Sequence, residues 1–234
     1  MQCERNLPLN STAVKKLKQL VFDFRETMPI VEALGNRNMR QEHWQDIKAL
    51  IGVGNEMPLE ERKFNLGQLI ALNVALHQEE IINVSVTATQ EFNLRNQIEE
   101  IRLVWAAKDF KLVKHKDRSD AFKLAEIDDV VTALDESLTA VSNILGSRYV
   151  KRLQTEAEAW QYKLNVVSET VEAWKEFQRA WLYLDNIFVS SDIRKNCPKD
   201  SQEFELISRQ WNKLMKIVNN KQNVLFNCHS GQKL

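Results

Sequence analysis

Apolar residues return every three or four positions through much of the chain, and that period predicts helices with one buried face. Val14, Leu17, Leu20, Val21 and Phe24 mark the first, with Asn10 or Ser11 placed to cap it. Pro29 is expected to set its end or to begin a new turn. A second helix is predicted over 40–51, with Trp44, Ile47 and Ile51 on one face, and "GVGNEMP" breaks it. After a short helix over 66–72, one long helix spans 77–107 and carries a broken stripe of Ile81, Val84, Ala88, Phe92, Ile98, Ile101 and Trp105.

Between 108 and 125 the helical period is lost. Phe110, Leu112 and His115 alternate with polar residues, "DRSD" offers a turn, and Phe122 and Leu124 alternate again, so a small hairpin is expected. Ile127, Val130, Val131, Leu134, Leu138, Val141 and Leu145 then mark a helix over 126–145, with Gly146 placed to terminate it. From Val150 to Phe188 the apolar residues, among them Leu153, Ala157, Trp160, Leu164, Val167, Val171, Trp174, Trp181 and Leu184, fall mostly on alternating steps of three and four. Such a helix approaches 40 residues, or about 60 Å. Asp200 with Glu203 has the form of a capping box for a last helix holding Phe204, Ile207, Trp211, Leu214 and Val218.

With only 6 glycines and 4 prolines in 234 residues, composition agrees with this pattern. The fold class expected is mostly α: an elongated array of antiparallel helices, a bundle or rod, with one small β-hairpin. It divides into a helical subdomain over 1–107, a hairpin junction over 108–125 and a second helical subdomain over 126–234. Lys plus Arg and Asp plus Glu are 32 each, so no net field draws the chain to nucleic acid or an anionic membrane. No stretch reaches the roughly 18 apolar residues of a membrane span, and the polar start has no apolar core of a signal peptide. The expectation is a soluble intracellular protein with three reduced cysteines, Cys3, Cys197 and Cys228, buried or incidental.

Little chemistry is legible. None of the six glycines precedes a lysine, which excludes a P-loop, and "GVG" at 52–54 lacks the third glycine of a dinucleotide site. His43, His77, His115 and His229 are far apart, and none has a His or Cys at metal-binding helical spacing. Asp128 and Asp129 read as a solvated helix face. No catalytic residue, metal site or cofactor of this chain's own is expected. Lys111, Lys114, Lys116 and Lys123 gather on the hairpin, as a docking surface or as charges guarding a sheet edge. Tryptophans on a helix seam are ordinarily core residues, and the pattern alone says rigid helical rod.

The ordered text says more. The stretch 147–195 resembles the linker region of dynein heavy chains, whose pattern is a Trp, a Leu four on, then W-x-x-x-Q-x-x-W-x-Y-L-(E/D)-x-I-F and S-x-D-I. Here Trp160, Leu164, Trp174, Gln178, Trp181, Tyr183, Leu184, Asp185, Ile187, Phe188, Ser191, Asp192 and Ile193 hold those places. Arg40, His43 and Trp44 match an R-x-x-H-W segment, "FNLGQLIALNV" an F-x-L-x-x-L-x-x-L segment, and Ile98, Ile101, Trp105 and Phe110 a further run. Roughly residues 14–225 are covered. Cys197-Pro198 stands where the family usually has Leu-Pro, a modest departure, since both residues are apolar and often buried.

In that family the linker is a lever lying across a ring of ATPase modules. It bends and straightens with nucleotide state and moves the tail. The resemblance therefore implies a non-catalytic piece, a fragment or a short product, of an ATP- and magnesium-dependent motor, with the motor ring and tail of the same heavy chain as partners. Other dynein subunits and microtubules are reached through the parent. "SSDI" and "SRYV" look axonemal, which implies a cytoskeletal location in a cilium or flagellum. A lever must be stiff, which the seam of Trp160, Leu164, Trp174, Gln178, Trp181, Tyr183, Leu184 and Phe188 would supply. It must also be soft somewhere, at 108–125 or at Gly146-Ser147. Lys111, Lys114, Lys116 and Lys123 are the expected ring contact. The alternative is a free-standing helical scaffold or adaptor that binds partner helices.

Overall fold

A computed structural model describes residues 12–54, 59, 65–116 and 121–230. Two compact units, 1–93 and 94–234, make up the chain. The division falls inside a helix.

In the first unit α1 spans Thr12–Leu34, α2 Gln41–Leu50 and α3 Leu66–Ala71, and a 3-10 turn at Val74–His77 leads into α4, Gln78–Ala107. Its core is Ile30, Ala33, Ile47, Leu59, Leu69, Val74 and Ile81. Pro29 does not end α1. A proline cannot donate to the carbonyl four residues back, at a cost of about 3 kcal/mol in a helix interior. Burial of Ile30 and Ala33 immediately beyond it offsets that loss. The stripe expected on the first turns of α1 is helical but uncovered: Leu17, Leu20, Val21 and Phe24 are 49%, 54%, 51% and 48% exposed.

Helix α2 ends as the glycine cluster predicts. Gly52 takes a φ of +70°, the Val53 N–H donates to the Lys48 carbonyl at 3.0 Å, and the Gly52 N–H to that of Ala49 at 3.3 Å. This is the left-handed termination that glycine accepts without strain. Asn36, just past α1, ties that turn to α4: its Nδ2 donates toward the Ser85 carbonyl at 2.8 Å, Ser85 Oγ at 3.0 Å and Thr89 Oγ1 at 2.9 Å.

The second unit holds the end of α4, strands β1 (Lys111–Lys114) and β2 (Phe122–Ala125), α5 (Ile127–Leu145), a 3-10 turn (Val150–Arg152), α6 (Gln154–Ile187), α7 (Ser191–Asn196), α8 (Pro198–Asn220) and α9 (Val224–Ser230). The strands form the expected antiparallel hairpin, with Leu112 opposite Leu124 and Lys114 opposite Phe122. Helix α6 has 34 residues, about 50 Å. It falls short of 40 because the chain after Gly146 folds into turns and reaches the helix only at Gln154. Helix α8 begins at Pro198 and not at an Asp200 capping box, since the first turn has no use for the N–H that proline lacks. Cys197, at its N-cap, is exposed, while Cys228 is buried.

Candidate functional site: a helix seam clamped to a hairpin

Along α6, Ala157, Trp160, Leu164, Val167, Val171 and Trp181 are buried in the core of the second unit, beside Trp105, Phe110, Val141 and Ile144. Trp174 is half-buried, with its ring 5.4 Å from that of Phe110. Two of the core indoles place their N–H on a serine, while the buried Trp211 Nε1 has no hydrogen-bond partner among the described residues. Trp105 Nε1 donates to Ser137 Oγ at 2.9 Å, and Trp181 Nε1 to Ser208 Oγ at 3.0 Å. Phe188 stacks on Phe204 at 5.0 Å, and Trp181 lies 6.2 Å from Trp211. These pairings lock α6 against α8 through aromatic faces as well as through buried area.

Two seam residues expected from the sequence lie outside the buried face: Tyr183 is 68% exposed and Leu184 38%. After Trp181 the inward position passes to Asp185, whose side chain is mostly buried. Val171, Trp174, Gln178, Trp181, Asp185 and Phe188 keep steps of three and four throughout. The two polar members of this series, Gln178 and Asp185, are the residues that hold the hairpin.

Gln178 Oε1 accepts the Leu124 N–H at 2.6 Å, and its Nε2 donates to the Leu124 carbonyl at 3.0 Å. In an antiparallel ladder both polar groups of one residue point to the same side. The Leu124 pair therefore points away from β1, and the Gln178 amide stands in for a third strand on the open edge of β2. One helical turn further on, the His115 ring packs 4.7 Å from that of Trp181, and its Nε2 lies 2.9 Å from Asp185 Oδ2. Lys116 also donates to Asp185. Burial pushes the Asp185 carboxyl up, the hydrogen bonds from His115 and Lys116 pull it down, and the balance lies below its ordinary value of 3.8.

The hairpin lysines thus differ in surroundings. Lys111 pairs with Glu126 and Asp129, and Lys116 with Asp185. Lys114 is exposed and Lys123 half-buried. Glu126, joining β2 to α5, takes a left-handed φ of 50°, a conformation that costs a non-glycine residue about 1–2 kcal/mol. At the other proposed soft place Gly146 has an ordinary φ of −74°. The Gly146 N–H donates to the Ser142 carbonyl at 2.9 Å and the Ser147 N–H to that of Ile144 at 3.1 Å. That turn is hydrogen-bonded and unstrained, and it needs no glycine.

Two polar centres escaped the sequence reading. Asn223 points its Nδ2 at the carbonyls of Trp105, Ala106 and Lys108 at 3.1–3.2 Å, while its Oδ1 accepts the Phe226 N–H at 3.0 Å. One side chain caps the end of α4 and the start of α9. In the first unit His43 Nδ1 accepts the Arg40 N–H at 3.0 Å, which leaves its Nε2 as the donor to Glu91 at 3.2 Å. Gln178 and Asp185 were legible as places of the W-x-x-x-Q-x-x-W-x-Y-L-(E/D) pattern and as polar residues on an apolar period; Asn223 and Glu91 had no such signal. Burial pushes the Cys228 thiol up to about 12, an inert setting. Among the described residues no group of three or more His, Cys, Asp or Glu is arranged to hold a metal, and no helix is long and apolar enough to cross a membrane.

A long aromatic helix seam, tied to a hairpin through Gln178 and Asp185, defines a helical module. Residues 2–234 match the family model described as "Dynein heavy chain, N-terminal region 2", and the chain belongs to that family. It is 34% identical over 218 residues to the Dynein-1-beta heavy chain of the flagellar inner arm I1 complex of Chlamydomonas reinhardtii, with 93% of this chain covered. It is 30% identical over 226 residues to Dynein axonemal heavy chain 2 of Mus musculus, 97% covered, and 32% over 227 residues to Dynein axonemal heavy chain 6 of Homo sapiens, 96% covered. The chain spans about 5% of the length of each.

Proposed function

We propose that this chain is a segment of the mechanical linker of an axonemal dynein heavy chain, working in a cilium or flagellum. It carries the ATP-driven shape change of the parent's motor ring toward the tail. Ring, tail, other dynein subunits and microtubules are its partners through the parent, and nucleotide chemistry belongs to the ring. The axonemal and flagellar names of the relatives support the setting.

The observation that carries the reading is the clamp of Gln178 and Asp185 on the hairpin. A lever transmits displacement only if its parts do not slide, and an apolar seam alone resists sliding poorly because hydrophobic contact has no direction. Two directional clamps at i and i+7 supply the missing constraint. Among the described residues, Lys114 and Lys123 are the hairpin cations suited to a ring contact.

The test uses a full-length motor. Gln178→Ala is expected to leave microtubule-stimulated ATP turnover within about twofold while gliding velocity falls by more than that, because force is lost in the lever and not in the ring. Undiminished gliding with a loosened hairpin would remove the mechanical reading.

A further inference from the structure

Strand β1 has one edge inside the hairpin and one outside it. Leu124 directs its N–H and carbonyl to Gln178, away from β1, so Leu112 and Leu124 face each other without exchanging hydrogen bonds. The His115 N–H donates to the Ala121 carbonyl at 2.8 Å, which fixes the same alternation independently. The polar groups of Lys111, Val113 and His115 therefore point into the hairpin, and those of Phe110, Leu112 and Lys114 point out of it.

A third strand begins on the outer edge and stops. The Phe110 N–H donates to the Gln222 carbonyl at 2.8 Å, Asp109 bridges Asn223, and the Val224 N–H donates to the Lys108 carbonyl at 3.0 Å. Helix α8 ends at Asn220 and α9 begins at Val224, so this segment goes no further along β1. Among the described residues nothing is hydrogen-bonded to the outward N–H and C=O of Leu112 and Lys114. Lys111 and Lys114 are exposed beside them, and Val113 is 43% exposed. Edge groups of this kind are a template for one more strand.

Charge selects that strand. Residues 110–116 hold Lys111, Lys114 and Lys116 and no carboxylate. Lys111 is met by Glu126 and Asp129 and Lys116 by Asp185, while Lys114 stands on the open stretch. A left-handed φ of 54° at Lys116 ends the strand. In every antiparallel register a second copy of β1 thus brings Phe110, Leu112 or another Lys114 opposite Lys114, and never a carboxylate. Lysines that guard the edge against its own copy favour a strand with Asp or Glu at that place.

We propose that the outer edge of β1 takes up an extended acidic peptide segment from outside residues 1–234 as a third strand. It is hydrogen-bonded to Leu112 and Lys114 and sets a carboxylate against the Lys114 ammonium. The reading does not depend on the lever function.

The test uses the 234-residue chain, isotope-labelled for amide NMR, and two synthetic nine-residue peptides of alternating Val and charged residues, one with Glu and the other with Lys. The acidic peptide is expected to shift the Leu112 and Lys114 amides and to slow their hydrogen exchange at least about fivefold. Lys111 and Val113, whose N–H groups are already in the ladder, should stay within about twofold. It should bind at least about threefold tighter than the basic peptide, with the difference shrinking as salt rises. Methylating its alternate backbone nitrogens should abolish binding. Lys114→Glu should reverse the preference, and Lys114→Pro, which removes an outward N–H and no ladder bond, should abolish binding with unchanged circular dichroism. Equal binding of both peptides, or none, overturns the proposal and leaves the lysines as edge guards alone. So does a dimer in sedimentation velocity that Lys114→Pro dissolves, which assigns the edge to a second copy.

Discussion

Replacing Gln178 by alanine removes both hydrogen bonds to Leu124 and leaves a buried N–H and a buried carbonyl on the edge of β2 without partners. Each such loss costs about 1–3 kcal/mol, so opening the hairpin should become easier by about 2 kcal/mol or more. At 1.4 kcal/mol per factor of ten, that is about a 30-fold faster exchange of the Leu124 amide. Native-state hydrogen exchange reads it directly. Gln178→Glu sharpens the test. Its carboxylate still accepts from the Leu124 N–H but sets lone pairs against the Leu124 carbonyl, so the folded chain favours the protonated form and the introduced carboxyl titrates above the ordinary glutamate value of about 4.3. The folded state then binds the proton more tightly than the unfolded state. Stability is therefore greatest below about pH 4.3 and is lost as pH rises through the higher folded value. Leu124 exchange within threefold of the parent in Gln178→Ala, or no gain on acidification in Gln178→Glu, would refute the clamp.

The Asp185 carboxyl lies below its ordinary 3.8, so the unfolded chain binds its proton first as pH falls. The stability lost in Asp185→Asn should be constant above about pH 5 and shrink as pH drops through the lower folded value. Chemical denaturation of both chains across that range checks it, and a difference unchanged by acid would remove the His115–Asp185–Lys116 latch. Asn223→Ala should cost about 1–2 kcal/mol for the N-cap of α9 alone, and more through the freed carbonyls of α4. Asn223→Asp keeps the acceptor for Phe226 but loses the donors, so it should rescue only part of the urea midpoint; full rescue would leave α4 out of the account.

Periodicity located α4, α5, α6, α8 and the hairpin because packing and period agree there. It misjudged burial on the first turns of α1, where the apolar period is as regular as anywhere and nothing described covers it. It misjudged Pro29 because a local penalty of about 3 kcal/mol is set against burial of residues beyond it that local reasoning does not see. Leu184 entered the seam on hydrophobicity, while the geometric period at that point belongs to Asp185. Asn223 was invisible because its three carbonyl partners lie more than 100 residues away in sequence.

The polar interruptions of α6 also decide register. Side chains of a strand alternate between faces, so a slip of β2 by one residue against α6 would bring Lys123 or Ala125 to the place of Leu124 and turn its apolar side chain outward. Trp174 and Trp181 would not forbid this, since aromatic surface accepts many apolar neighbours. The Gln178 amide does forbid it: only the backbone of a residue whose polar groups face away from β1 can meet both its oxygen and its nitrogen. A slip by two restores that orientation but carries His115 and Lys116 away from Asp185, stranding a mostly buried carboxylate. Neither clamp alone fixes the hairpin on the helix; the pair, seven residues apart, leaves a single register. If the segment works as a lever, its hairpin should detach as a unit or not at all.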